Sequence, residues 1–205
     1  GENYVSECLD SLLKQSFKNF LLIISDNAST DATQQICREY AAKDARIRYI
    51  RLDKNVGAAQ NYNRIVHLAD GDFFKWAAHD DNCRPEFLQK CVAALDTTPD
   101  AVLCYPSTNV IDGESRIMSE YRDGLHLMHK TPHQRMCHYL RKNFIGYKGM
   151  CNPIFGVIRL DLLRRTRLIQ NELSADRLLL GHLSLLGGFI ELPEVLFERR
   201  VHDNT

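Results

Sequence analysis

The segment spanning residues 21–31 constrains the fold of this 205-residue chain more than any other. Its apolar run ends at Ile24 and is followed by Asp26 and then by small polar residues suited to starting a helix. A buried strand that leads directly into a helix is typical of α/β proteins, which bind ligands at the carboxyl ends of their strands. The sequence therefore predicts that Asp26 lies at a strand end. There its carboxylate could accept hydrogen bonds from a ligand, or it could form an Asx turn with its own backbone.

Helix and strand patterns alternate through the first half of the chain. Apolar residues at helical spacing predict helices over residues 5–13, 58–68 and 85–95. They also predict a helix that is capped by one of residues 29–31 and carries Ile36, Tyr40 and Ala41. Apolar or alternating runs predict strands over residues 20–24, 47–52, 73–77 and 101–105. This alternation indicates an α/β fold with a mostly parallel sheet flanked by helices. A parallel sheet normally opens with a strand, whereas this chain opens with a helix, so we expect that the first strand is missing.

The second half of the chain is less regular. Its patterns predict a strand and turn at 109–113, helices at 131–140 and 161–168, a loop at 146–153, and strands at 154–158, 189–192 and 195–197. Another helix is expected to begin at Ser174. The sequence shows no internal repeat and no linker, so we expect a single domain over residues 1–205.

Paired carboxylates follow the apolar run at residues 73–78. Asp80 and Asp81 come directly after His79, at a second expected strand end. Mg²⁺ and Mn²⁺ prefer oxygen ligands, and such ions are commonly held by one or two carboxylates together with substrate phosphates. These residues therefore predict a metal-assisted site for a nucleotide-linked substrate. The alternative is a solvated turn in which Asp81 or Asn82 caps the following helix.

Amides and a glycine follow the expected strand at 47–52. Asn55 and Gly57 belong to a tight turn before the helix at 58–68, which Gly57 permits, and the amides of Asn61 and Asn63 on the helix face could reach a ligand.

Two further candidates lie late in the chain. Asp176 stands in the first turn of an expected helix, where it could act as a general base or simply interact favourably with the helix dipole. His202 could supply an imidazole to a metal or a phosphate, and Arg199 and Arg200 could offset phosphate charge. The alternative for these three residues is a mobile terminal tail.

The composition indicates which classes of partner the chain can bind and in which cellular compartment it lies. The chain has 26 basic and 26 acidic residues, so its net charge gives no support to nucleic acid binding. Its seven cysteines are odd in number and include no Cys-x-x-Cys pair, which favours free thiols in a reducing compartment. We therefore expect a cytoplasmic protein; association with the inner face of a membrane and homodimer formation are left open.

The order of these segments resembles the family 2 inverting glycosyltransferases, which have the Rossmann-like GT-A fold. Residues 22–31 are similar to the nucleotide-binding element of that family and residues 55–63 to its Asn-x-Gly element. Residues 78–81 are similar to its metal-binding Asp-X-Asp region, with Ala78 in place of the first Asp. Asp176 matches the second residue of its Glu-Asp element, and His202 falls where many members carry a late histidine.

The resemblance implies a site for a nucleoside diphosphate sugar in residues 1–105 and an acceptor-binding half in residues 106–205. Five residues would bind the nucleotide sugar: Asp26, Asn55, Gly57, Asn63 and Asp80.

It also implies a divalent cofactor, Mn²⁺ or Mg²⁺, held by Asp81, Asp80 and His202. Asp176 would be the catalytic base, and the acceptor would be a glycan or a lipid-linked saccharide.

Two alternatives remain open from the sequence. One is a nucleotidyltransferase, although the Gly-rich phosphate loop that such enzymes usually need is not visible. The other is an inactive nucleotide-sugar-binding module, because Ala78 and Tyr62 depart from the family pattern.

Overall fold

The computed structural model describes residues 1–144 and 150–202, and the side chains of these residues apart from 143 and 144. The helices are α1 (Val5–Leu13), α2 (Thr33–Lys43), α3 (Ala58–Leu68), α4 (Phe87–Asp96), α5 (Pro132–Phe144), α6 (Leu160–Leu163) and α7 (Ala175–Leu186). The strands are β1 (Leu22–Asp26), β2 (Ile47–Arg51), β3 (Phe73–Phe74), β4 (Asn82–Cys83), β5 (Ala101–Ile111), β6 (Ile117–Tyr121), β7 (Val157–Arg159) and β8 (Gly188–Arg200). A 3₁₀ helix spans Asn152–Phe155.

The first helix buries one apolar face, as its spacing predicts. Val5, Cys8, Leu9 and Leu12 recur every three or four residues, and all four are buried against α2, β1 and α4. The expected helix at 58–68 is confirmed with the same bounds in α3.

The strands form two sheets. β1 pairs with β2, and the second sheet has the order β3-β7-β5-β8-β4, with β6 also paired to β5. Helices flank these sheets, so the expected α/β architecture is confirmed. The pairing is more mixed than predicted: β1–β2 and β5–β8 are parallel, and the four other described pairings are antiparallel. One reason is that β6 follows β5 after the short turn 112–116, whereas parallel neighbours need a long crossover.

The central strand is β5. It is almost entirely buried: β8 lies along one edge, β7 and β6 lie along the other, and α4 and α7 also contact it. The strand expected at 101–105 and the strand that begins the segment expected at 109–113 therefore form one element. The expected boundary between the nucleotide-sugar-binding half and the acceptor-binding half, after residue 105, falls inside this strand. Pro106, which has no N–H to donate, coincides with a shift in the register between β5 and β8.

Several expected elements have different bounds in the structure. Instead of a strand over 154–158, a 3₁₀ helix with Pro153 in its first turn precedes β7. The helix expected over 161–168 is the shorter α6, and Pro85 lies in the turn before α4. The two strands expected at 189–197 are continuous in β8. Residues 146–149 of the expected loop lie outside the described residues.

All seven cysteines are free and six of them are buried, as the free-thiol interpretation predicts. Within residues 1–144 and 150–202, no helix combines the length and the hydropathy needed to cross a bilayer.

Candidate functional site

Asp80 and Asp81 lie in a buried turn between β3 and β4, where they are only 7% and 6% exposed. Two imidazoles flank Asp80. His202 Nε2 lies 3.1 Å from Asp80 Oδ2, and His79 Nδ1 lies 3.9 Å from Asp80 Oδ1. The fold therefore brings His202 to the acidic turn, as the sequence predicts for a shared site.

Burial raises the pKa of Asp81 from 3.8 to about 6, and the Asp80 carboxylate adds to this rise. The backbone N–H of Arg200, which donates to Asp81 Oδ1 at 2.9 Å, opposes the rise without cancelling it. The side-chain oxygen of Asn82 is also buried and has no hydrogen-bond partner among the described residues. The turn thus gathers two carboxylates and an unpaired carbonyl oxygen, and a cation would stabilise this arrangement.

Arg200 does not have the role expected for it. Arg200 is only 1% exposed. Its guanidinium donates to Glu7 Oε2 at 2.8 Å and to the backbone oxygens of Asp80 and Asp112 at 2.9 and 3.0 Å. It also lies over the ring of Tyr4. Because these groups occupy its donors, Arg200 fixes the acidic turn against α1 and is not available to a phosphate. Sequence reasoning missed Glu7, since its partner is 193 residues away and no local spacing indicates the pair.

Arg199 connects the end of β8 to the segment before the 3₁₀ helix. Its guanidinium donates to Asn152 Oδ1 at 2.8 Å and to the backbone oxygen of Met150. It also lowers the pKa of Asp81 through its charge, so it lies near the acidic turn.

Asp176 lies at the start of α7, partly exposed, next to that same segment. Its carboxylate accepts the N–H of Arg177 at 2.8 Å and interacts with the thiol of Cys151. Burial, together with the Asp176 charge, raises the pKa of Cys151 to about 12. Residues 150–152 therefore contact both Arg199 and Asp176, and they link the acidic turn to the expected catalytic base.

Tyr62 of α3 also lies near the acidic turn. Its pKa is raised by burial and then by the charges of Asp80 and Asp81, while Arg199 acts in the opposite direction. The phenol of Tyr62, which departs from the family pattern, therefore lies close to the acidic turn.

Asp26 lies at the end of β1 as predicted, but protein groups bind its carboxylate. Ser29 N–H donates to Oδ1 at 2.8 Å, and Tyr49 Oη and Arg51 Nη1 donate to Oδ2 at 2.7 and 2.6 Å. Burial alone would raise the pKa of Asp26, but these hydrogen bonds outweigh burial and lower it. The hydrogen bond from the backbone N–H of Ser29 agrees with the alternative interpretation of Asp26, in which its carboxylate binds the neighbouring backbone.

The amides near α3 stabilise the loop and the packing of the helix. Asn55 Oδ1 accepts the N–H of Gly57 and an N–H of Asn27, both at 2.8 Å, and Gly57 has φ +86°. Asn63 bonds the backbone of Ile169 through both ends of its amide, at 2.7 and 3.0 Å. Asn55 and Gly57 remain exposed near the end of β1, whereas the Asn63 amide is occupied by a protein contact.

A cavity of about 920 Å³ runs between β1 and β3, and Asp26 and His79 are among the residues that line it. Asp81 and Asp176 do not line this cavity. The structure thus brings Asp80, Asp81 and His202 together. Asp176 is connected to this turn only indirectly, through residues 150–152 and Arg199, and Asp26 lies at another strand end.

The donor atoms of the acidic turn suit a hard divalent cation. In the described part of the chain, no three His, Cys, Asp or Glu side chains form a group that could hold a metal ion by themselves. Asp80 and Asp81 supply carboxylate oxygens, and Mg²⁺ is commonly bound by one or two carboxylates together with substrate phosphates. The residues present therefore fit an ion that is bound jointly with a diphosphate.

The chain belongs to glycosyl transferase family 2, whose sequence model matches residues 1–161. A Haemophilus influenzae protein named as an uncharacterized glycosyltransferase is 26% identical over 210 residues, which cover 100% of this chain and 63% of that protein. The chain spans less than two thirds of the curated relatives that it matches; for a Methanocaldococcus jannaschii relative the share is 42%.

Solved glycosyltransferases share the fold. Residues 1–349 of S. aureus TarS in complex with UDP-GlcNAc superpose with a TM-score of 0.71 at 21% identity, covering 98% of this chain and 56% of TarS 1–349. The mannosyltransferase PcManGT from Pyrobaculum calidifontis, in complex with GDP-Man and Mn²⁺, gives a TM-score of 0.64 at 16% identity, covering 98% and 54% of the two chains. The predicted GT-A fold is thereby confirmed.

Proposed function

We propose that this chain transfers a sugar, with inversion, from a nucleoside diphosphate sugar to an acceptor hydroxyl, assisted by Mn²⁺ or Mg²⁺. The observation that carries this proposal is the buried acidic turn at Asp80 and Asp81, which residues 150–152 connect to Asp176. Two carboxylates at one end of the site and a separate, partly exposed carboxylate at the other suit two different tasks. The first is to bind a diphosphate through a cation, and the second is to accept a proton.

The diphosphate of the donor would lie against the acidic turn. Asp81 and Asp80 would hold the cation, with His202 positioning Asp80 through the hydrogen bond between them. When bound, the cation supplies positive charge that stabilises the departing diphosphate. We place the nucleoside towards the end of β1, near Asp26, Asn55 and Gly57.

Asp176 would act as the general base. Its carboxylate takes the proton from the acceptor hydroxyl as that oxygen forms a bond to the anomeric carbon of the donor sugar. The bond from the anomeric carbon to the diphosphate oxygen breaks on the opposite face, and its electron pair leaves with the diphosphate. One displacement of this kind inverts the anomeric centre. The acceptor, a glycan or a lipid-linked saccharide, would approach from the side formed by residues 106–205.

The experiment is a transfer and hydrolysis assay with UDP- and GDP-sugars on the native chain and on Asp176→Asn. We expect the substitution to lower turnover by about 10²- to 10⁴-fold, because that is the usual contribution of a general base. Binding of UDP or GDP should remain within about twofold, since Asp176 does not contact the diphosphate in this arrangement. The matched control is Glu172→Gln, an exposed carboxylate in the segment before α7, which should retain full activity.

Two results would overturn the proposal. Transfer at the native rate by Asp176→Asn would remove this residue from the mechanism. If the native chain binds a nucleoside diphosphate but never releases or transfers a sugar, the chain is a nucleotide-sugar-binding module.

A further inference from the structure

His202 lies two residues beyond the end of β8, and its side chain is only 14% exposed. One side of its ring meets the acidic turn, where Nε2 is 3.1 Å from Asp80 Oδ2. The ring also packs against Tyr4, with the two ring centroids 5.0 Å apart and the ring planes tilted by 36°. This separation lies within the range of stabilising aromatic pairs. The imidazole is therefore positioned by contacts with two parts of the chain that are far from it in sequence.

The Tyr4 ring is in turn fixed by Arg200. The central guanidinium carbon of Arg200 lies 4.5 Å from the centroid of the Tyr4 ring, which is a cation–π distance. Arg200 is buried and is held by Glu7, which follows Tyr4 by three residues in the sequence. Because residues three positions apart lie on one side of a helix, Tyr4 and Glu7 contact Arg200 together from the start of α1.

These contacts return to the acidic turn and form a closed ring. Arg200 Nε donates to the backbone oxygen of Asp80 at 2.9 Å, while His202 contacts the carboxylate of the same residue. Asp80, His202, Tyr4 and Arg200 therefore each contact the next member of the ring. Such a ring fixes a side chain more firmly than a single contact does, because a rotation of one member breaks two contacts.

We propose that Tyr4 is a positioning residue: it holds the His202 ring against Asp80 and so fixes the carboxylate that would bind the cation. This inference rests on the proposed function, because that function supplies the cation. A group that hydrogen-bonds a metal-binding side chain typically contributes about 10- to 100-fold to metal affinity. His202 would be such a group for Asp80. Tyr4 acts one contact further from the cation, and an aromatic pair contributes about 2- to 10-fold.

The test is calorimetric titration of UDP and GDP, with Mn²⁺, into Tyr4→Leu, Tyr4→Phe, His202→Ala and the double variant Tyr4→Leu/His202→Ala. We expect Tyr4→Leu to weaken Mn²⁺-dependent binding by about 2- to 10-fold, and Tyr4→Phe, which keeps the ring, to bind like the native chain. Because Tyr4 acts through His202, Tyr4→Leu should cause no further loss when His202 is already alanine.

Tyr40→Leu is the matched control. The Tyr40 hydroxyl binds α1 through the backbone oxygen of Ser6 and the carboxylate of Asp10. Its loss therefore loosens the packing of α1 without removing a contact of His202. We expect Tyr40→Leu to leave Mn²⁺-dependent nucleotide binding unchanged, which separates a positioning role of Tyr4 from a general effect on the stability of α1.

A second measurement requires neither nucleotide nor metal. NMR of the native chain should show nuclear Overhauser contacts between the ring protons of Tyr4 and His202, as their separation requires. Tyr4→Leu should shift the ring signals of His202, which are identified by their loss in His202→Ala, whereas Tyr40→Leu should leave them in place. The contact in the native chain can be measured even if Tyr4→Leu does not fold.

Native-strength Mn²⁺-dependent binding by Tyr4→Leu would overturn the positioning role of Tyr4. The same holds if Tyr4→Leu causes its full loss in the His202→Ala background, or if the native chain shows no contact between the two rings. Metal-independent nucleotide binding by the native chain would instead contradict the proposed function, and it would be seen before any substitution is made. The two failures are therefore distinguishable.

Discussion

Replacing Asp81 with asparagine should stabilise the metal-free protein at neutral pH while removing the charge that the proposed cation requires. Asn has nearly the same shape as Asp, and its side-chain oxygen can still accept the N–H of Arg200 that now lies 2.9 Å from Asp81 Oδ1. The substitution therefore removes a buried negative charge beside Asp80 and keeps the hydrogen bond.

The size of the effect follows from the raised pKa of Asp81. Its pKa is 3.8 in the unfolded chain and about 6 in the folded protein, and each pKa unit corresponds to about 1.4 kcal/mol. Between these two values the folded state keeps a proton that the unfolded state has released, so stability falls as pH rises through that window. Above it both states are ionised, and the folded protein carries the full penalty of about 3 kcal/mol.

The assay is urea unfolding of the native chain and of Asp81→Asn without metal, at about pH 4 and about pH 8. We expect Asp81→Asn to be more stable than the native chain by up to about 3 kcal/mol at the higher pH, with the difference mostly lost at the lower pH. Asp53→Asn, at an exposed position, is the control and should show no such dependence. A difference between Asp81→Asn and the native chain that is the same at both pH values would show that the pKa of Asp81 is not raised in the folded protein.

Two further substitutions test the packing around the site. Arg200→Met should lower the free energy of unfolding by about 2 kcal/mol, chiefly because the backbone oxygens of Asp80 and Asp112 lose their donor, while the half-exposed Glu7 carboxylate can still bind water. A loss below about 1 kcal/mol in urea unfolding would contradict this role. Gly156→Ala would place a Cβ atom 2.6 Å from the backbone oxygen of Cys104 in β5, so we expect a loss of about 2 kcal/mol in thermal unfolding. Gly71→Ala, whose Cβ atom would lie 3.4 Å from the backbone oxygen of Phe73, is its control, and equal effects of the two substitutions would disprove the steric explanation.

Local sequence patterns predicted the elements that depend on local spacing. The bounds of α3 and the apolar face of α1 follow from residues three or four positions apart, and Asp26 lies at the strand end that its apolar run indicates. The meeting of His202 with Asp80 was also expected, although it joins residues 122 positions apart, because the family resemblance supplied that information.

Pairings between residues far apart in the sequence could not be derived from local sequence patterns. The antiparallel neighbours of β5 depend on which short turns the chain makes, and Pro106 within a central strand argued locally against the continuous β5. Asn63 has the chemistry of a ligand-binding residue, yet its amide binds Ile169, 106 positions away. Arg200 likewise suits a phosphate by its chemistry, and only the fold shows that it is paired with Glu7.

Calorimetric titration of UDP and GDP into the native chain and Asp81→Asn, each with Mn²⁺ and with a chelator, tests the proposed metal site directly. We expect Mn²⁺ to tighten nucleotide binding to the native chain by about tenfold or more, and we expect Asp81→Asn to remove this gain. Nucleotide binding of equal strength with and without Mn²⁺, or an undiminished effect of Mn²⁺ in Asp81→Asn, would contradict the proposed metal site.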